Sequence, residues 1–328
     1  MSNKKNKAQG HKTSVGGQAL IEGIMMQGPK GAYMSVRLPD GTIETEKQEF
    51  RRLKDRVKVA GYPLIRGVVN YVESMIFGFK CMTKSAEKAG FEGEADKEKM
   101  SKTDKWISDH LGKNMMKVIT AVSAFLGFTL AFLMFFYLPS LIVDLADKYL
   151  LGGFIEKFHP LFEGVIRMAI FVLYIYAVSR IPEIKKVFMY HGAEHKSITC
   201  YEKGIELTCE NVRGQSRFHP RCGTSFIFVM LIISVLVSSS ITLVFENIDD
   251  NRLIWTGIKL LILPVIMGLG YEFIRYAGKH GNILTRIFSA PGLWMQRLTT
   301  SEPSDDIIEV GIEALKAVIT ENPEDDAI

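Results

Sequence analysis

The chain has 328 residues, 47% hydrophobic and 23% charged, with net charge +4 and mean hydropathy +0.11. It is too apolar for disorder, too long for a disulfide-stapled mini-domain and too weakly basic overall for a nucleic-acid binder. Val118 to Val143 and Cys222 to Phe245 contain no charged residue, and runs of 26 and 24 residues cross a hydrocarbon core of about 30 Å as helices, which excludes an ordinary soluble domain.

Residues 1–13 are basic, have no apolar segment close behind them of the kind a secretory signal needs, and read as a disordered tail. Residues 14–60 predict a small β-containing cytoplasmic unit. Ser14 to Pro29 is apolar and glycine-punctuated, with Gln18 and Glu22 among its few strongly polar groups. A strand–turn–strand pattern follows around Pro39-Asp40-Gly41. Pro63 suits the first turn of a helix, and 61–84 reads as an amphipathic or interfacial helix whose apolar positions cover most of its circumference. Residues 85–105 are charged without an apolar period and read as a linker.

Residues 106–328 form the expected membrane domain, with spans at about 118–143, 165–181, 224–245 and 253–274. The second is short between Arg167 and Arg180; the fourth holds Pro264, which a membrane helix tolerates, and Lys259, expected to snorkel outward. Charge decides for four spans over two. The predicted outer loops carry only Lys148, Lys157 and Arg252, whereas 21 Lys and Arg precede Met115 and eight lie in 180–224. Both termini and the loop 182–223 are then cytoplasmic, and all four cysteines lie on or near the reducing side. At the end, Ser304 is expected to cap an amphipathic helix over 304–320 with Ile308, Ile312, Leu315 and Ile319 on one face. The fold class is a mainly α membrane protein of about four transmembrane helices, with a small N-terminal β unit and a C-terminal amphipathic helix.

The chemistry-bearing stretch is the loop between the second and third spans. In His191-x-x-Glu194-His195, residues i and i+4 share a helix face, so both imidazoles reach one ion, with Glu194 beside them as a general base or a ligand. The order H-x-x-E-H is that of the inverzincin peptidases, although Gly192 weakens the helix. His219, Cys222 and Glu272 are further candidate ligands, with a local ion pair to Arg275 as the plainer reading of Glu272. The residue types point to a divalent metal, zinc first. A rival set, Cys200, Cys209, His219 and Cys222, would make a closed structural zinc site.

Five motifs, GGQALIEGIMMQGP, PLIRGVVNYVES, YHGAEHKS, HPRCGTSF and PGLWMQRLTTSEP, occur in one order across about Ser14 to Leu315. Together they resemble the YqhQ-like family of bacterial multipass membrane proteins, sometimes described as predicted metal-dependent enzymes. The resemblance implies a bacterial cytoplasmic-membrane location. It places His191, Glu194, His195, His219 and Cys222 on motif positions, and Cys200 and Cys209 outside them. The expected function is metal-dependent hydrolysis near the membrane interface, with the lipid bilayer as partner. The alternative is a non-enzymatic scaffold that docks a cytoplasmic protein around a structural metal. A transporter is disfavoured because the long spans lack charge and no repeat is visible.

Overall fold

The computed structural model describes residues 10–50, 52–90, 121–152, 158–245, 251–280 and 282–327, with positions 118 and 248. The tail expected over 1–9 and the linker expected beyond residue 90 lie outside the described residues. In chain order the strands are β1 (Gly16–Leu20), β2 (Gly23–Gly28), β3 (Gly31–Arg37) and β4 (Ile43–Gln48). The helices are α1 (Ile65–Lys88), α2 (Ala121–Leu150), α3 (His159–Val178), α4 (Pro182–Glu202), α5 (Cys209–Arg213), α6 (Gly223–Val244), α7 (Arg252–Lys279), α8 (Ile283–Thr299) and α9 (Asp305–Val318). Two compact units result. One takes Met1–Phe91, Ile175–Val229 and Met267–Ile328; the other takes Glu92–Tyr174 and Met230–Ile266.

In the first unit the strands form an antiparallel meander in the order β1-β2-β3-β4, with Gln18 opposite Met25 and Met25 opposite Met34. The strand–turn–strand expected around Asp40-Gly41 is present: the Asp40 carboxylate accepts from the Thr42 amide at 2.9 Å and Gly41 takes φ +88°. β1 and β2 carry no alternating signal because helices cover both faces of the sheet, so both side-chain sets are apolar. Leu20, Met25, Met34 and Val36 pack on Phe77 and Cys81 of α1. Ala19, Ile24 and Met26 point the other way, into Tyr190, Ala193 and Ile198 of α4 and Ile307, Val310 and Leu315 of α9. Successive residues of β2 thus feed two separate cores.

Several expected edges move. Residues 10–13 are tied down: Thr13 is buried and pairs with Ala327, and His11 meets Asp326 at 3.0 Å. α1 continues to Lys88, and Lys84 and Lys88 reach Glu46 and Glu44 of the edge strand at 2.6 and 2.7 Å, so these charges serve packing and the helix takes in the first residues of the expected linker. Ser304 sits at the N-cap of α9, but its side chain makes no capping bond; its carbonyl accepts from Ile307 and Ile308. α9 buries Ile307, Val310, Gly311, Ala314 and Val318 besides Ile308, Ile312 and Leu315, because α4, α5 and the sheet enclose it.

Four helices are long and apolar enough to cross a membrane: Ala121–Leu150, His159–Val178, Phe226–Val244 and Leu253–Ala277. The first two overrun the expected bounds because their charged residues are paired, and a span defined by an uncharged run stops too early at such pairs. His159 lies 2.7 Å from Asp144. Glu163, 2% exposed, is held by Arg167 one turn along and by Lys259 of α7 at 2.5 and 2.7 Å. Arg167 Nε also donates to the Phe135 carbonyl at 2.9 Å, in the π-type turn Leu133–Tyr137 of α2, where a widened turn exposes a carbonyl. One expectation therefore falls. Lys259 points inward against Glu163 and the Trp255 ring, 5.0 Å from its centroid, and does not snorkel. The buried charges lie on α3 and α7, whereas the runs 118–143 and 222–245 carry none.

Candidate metal centre

α4 starts cleanly. Ile181 is extended, Pro182 occupies the first turn with its fixed φ, and the helix then runs through His191, Glu194 and His195 to Glu202. Gly192, expected to weaken the helix, has a different role. A Cβ there would lie 2.2 Å from the Ser301 carbonyl oxygen, so only glycine lets the strand-like exit from α8 press against α4. That exit is pinned by the Ser301 amide, which donates to the Phe188 carbonyl at 2.8 Å.

The close approach orients the first imidazole. His191 Nδ1 donates to the Thr299 carbonyl at 2.8 Å, which turns Nε2 toward Cys222, 3.2 Å from Sγ. His195 repeats the device: Nδ1 donates to the Arg217 carbonyl at 2.6 Å, and the side chain also hydrogen-bonds Cys222. A backbone carbonyl on the far nitrogen fixes both tautomer and ring direction, the arrangement metal-bound histidines use. The rings lie 4.4 Å apart, and one ligand atom from each of His191, His195 and Cys222 falls within 4.8 Å of the others. Tetrahedral zinc, with bonds of about 2.0–2.3 Å, sets ligand atoms about 3.3–3.8 Å apart, so the cluster is close to that size. The donor set of two imidazoles and a thiolate suits zinc or another borderline cation, and disfavours magnesium or calcium. Burial pushes the His195 pKa down, which keeps the imidazole neutral and able to ligate.

The other predicted residues separate. Glu194 is buried on the same helix but points to the sheet, where the Gly17 amide donates to its carboxylate. Burial raises its pKa, against the pull of His191 and of that amide. His219 is buried with its ring 5.6 Å from that of His195, and its Nε2 lies 3.4 Å from Glu202. Burial drives the Glu202 carboxyl upward, but hydrogen bonds from His219, the Thr13 amide and Arg221 outweigh it and hold the pKa down to about 2. Glu272 does not join the cluster: its carboxylate is gripped chiefly by Arg66 of α1, with Nε at 2.6 Å, and Arg275 adds a weaker attraction. The rival Cys3His set is not assembled. Cys200 is buried with its thiol toward the carbonyls of Ile205 and Glu206, and His191, His195 and Cys222 are the one metal-sized group among the described residues.

Sequence reasoning missed Gln296. Its buried amide side chain accepts from the His219 amide and donates to the His219 carbonyl, both at 2.8 Å, and so fixes the turn that delivers Cys222. Glu22 is a clamp. It takes φ +53° at the β1–β2 turn while Tyr190 and Lys186 of α4 bind its carboxylate at 3.0 and 2.5 Å. Gln18 packs against Gly78 of α1.

These features define a class: a protein with four membrane-length apolar helices and a compact α/β unit that holds a His-His-Cys cluster on one helix and the turn before another. The chain belongs to the family described as "Protein of unknown function (DUF1385)", whose pattern matches residues 62–321. A relative from Bacillus subtilis (strain 168), described as "Uncharacterized protein YqhQ", is 30% identical over 311 residues, 93% of this chain and 92% of its own length. No solved structure matches the chain significantly.

Proposed function

We propose that the protein is a bacterial cytoplasmic-membrane metalloprotein in which His191, His195 and Cys222 hold a divalent cation, zinc first, on the cytoplasmic side, and that the site is hydrolytic. The supporting observation is the convergence of two imidazoles, each locked through Nδ1 to a backbone carbonyl, on one thiol. Three protein ligands leave a fourth position, which is the count of a catalytic rather than a structural zinc site. When bound, such a cation supplies Lewis acidity and lowers the pKa of water. Glu194 is the acid next to the pair along α4; its carboxylate faces the Gly17 amide in this structure, so in this reading it serves as the base only by turning from the sheet toward His191. The lipid bilayer is the partner of the apolar helices, and both termini face the cytoplasm by the distribution of Lys and Arg.

One observation favours a second reading, a closed structural site in a scaffold that docks a cytoplasmic protein. The His219 ring, 5.6 Å from His195, would need only to leave Glu202 to supply a fourth ligand. Elemental analysis of the purified protein beside a His191→Ala/His195→Ala variant tests metal binding: about one zinc per chain falling to none is expected. Glu194→Gln then separates the readings. Retained metal with lost hydrolysis of ester, phosphodiester or peptide probes supports the hydrolase. Sharp loss of thermal stability on chelation, without turnover of any probe by the wild type, supports the scaffold.

A further inference from the structure

We infer that α1 and the basic segment before it form a docking surface for the anionic headgroup layer of a lipid bilayer. The inference rests on reading the apolar helices as membrane spans and is independent of the metal centre. α1 has two apolar sides. Phe77, Gly78, Cys81 and Ser85 are buried, largely against the sheet. On the opposite side Ile65, Val72, Met75, Ile76 and Phe79 repeat at helical spacing and are 43%, 46%, 57%, 66% and 75% exposed. Five bulky apolar side chains in one stripe are more than a lone surface residue requires.

Two further observations identify what covers the stripe. The first is depth. The N-terminal half of α1 crosses the end of α7 at glycines, where a Cβ on Gly67 would lie 2.9 Å from the Gly268 Cα. Arg66 grips Glu272, Asn70 donates to the Tyr271 hydroxyl at 2.9 Å, and the Tyr71 ring lies 5.7 Å from that of Phe226. Phe226 opens one membrane-length helix, and Tyr271 and Glu272 lie within two turns of the end of another. The contact therefore holds α1 at the level where spans emerge, with tyrosines placed as in an interfacial belt. The second is charge. Residues 51–58, RRLKDRVK, carry five basic residues and one acidic. Arg52, Arg56, Lys58 and Lys80 are exposed among the apolar Leu53, Val57, Val59 and Tyr62, which are themselves 43–58% exposed. Basic groups interleaved with exposed apolar ones, beside an unpartnered apolar helix face, are the features of a surface that lies in an anionic interface. A protein partner of matching shape would have to supply both an apolar groove and a row of acids; the bilayer that surrounds the spans already supplies both.

The test uses the full chain in nanodiscs of phosphatidylcholine alone or mixed with phosphatidylglycerol. An environment-sensitive fluorophore is attached at Ile76→Cys in a Cys209→Ser background, since Cys81, Cys200 and Cys222 are buried. A second label at exposed Glu313→Cys on α9 is the aqueous control. The expected result is blue-shifted emission at position 76, quenched by doxyl lipid and shielded from iodide, while position 313 shows the reverse. Each basic residue at the surface favours anionic lipid by about fivefold. Arg52→Gln/Arg56→Gln/Lys58→Gln/Lys80→Gln should therefore abolish most of the extra phosphatidylglycerol retained by the wild type. Raising salt on the otherwise unmutated protein should do the same, so the arm survives a variant that fails to fold. Iodide access at 76 equal to that at 313 overturns the docking surface. A probe shielded from iodide but blind to doxyl lipid means that a second copy or a protein covers the face, and likewise overturns it. Lipid retention indifferent to phosphatidylglycerol and to salt overturns the anionic preference.

Discussion

Replacing Gly192 with alanine sets two effects of opposite sign against each other. Helix propensity favours alanine in a helix interior by about 1 kcal/mol. The structure places the new methyl 2.2 Å from the Ser301 carbonyl oxygen, a backbone atom that cannot swing aside as a flexible side chain would. Relief requires the 299–303 segment to lift from α4, and that segment is fastened through the Ser301 amide to Phe188 and through the Thr299 carbonyl to His191. Overpacking of this kind costs about 1–3 kcal/mol, and loss of a hydrogen bond costs about 1 kcal/mol more, so the net expectation is destabilisation by about 1–3 kcal/mol. The larger consequence is for the site. Without the Thr299 carbonyl the His191 ring loses its fixed tautomer and direction, and loss of such a support lowers metal affinity about 10–100-fold. Zinc competition titrations and thermal melts of wild type and Gly192→Ala in the same detergent measure both. A variant that binds zinc as tightly as wild type and melts at or above it would refute the reasoning, because propensity would then have outweighed contact.

Three further outcomes follow from the buried charges and the donor set. Glu163→Gln removes the carboxylate that Arg167 and Lys259 share and should destabilise the apolar helices by about 3–5 kcal/mol; Lys259→Met keeps the Glu163–Arg167 pair and should cost clearly less in detergent unfolding titrations. Glu202, whose pKa is about 2 folded against an ordinary 4.5, binds fewer protons folded than unfolded. Its contribution, at most about 3 kcal/mol, is present above pH 4.5 and lost as pH falls toward 2; melts over that range should show the loss in wild type and a flatter profile in Glu202→Gln. Cys222→Ser removes the soft ligand and should lower zinc affinity, seen in competition titration, while far-UV dichroism stays unchanged.

Much of this protein follows from local pattern. Uncharged runs of membrane length locate two of the four apolar helices, Asp40-Gly41 marks a hairpin, and histidines four apart on a helix that starts at Pro182 must share a face. Each depends on residues near one another in the chain, where spacing alone sets geometry. Tertiary structure decided the rest. Whether Glu163, Arg167 and Lys259 end a span or lie buried inside one depends on neutralisation by a partner 96 residues away, which no hydropathy window contains. Whether Gly192 is a weak point or a requirement depends on a carbonyl more than a hundred residues later. The strands at 16–28 escaped notice because α1 on one side and α4 with α9 on the other bury both faces and erase the alternation. The cysteine that joins the histidines is Cys222 and not Cys200 because Gln296 braces the turn before α6, and a long-range hydrogen bond leaves no periodicity to read.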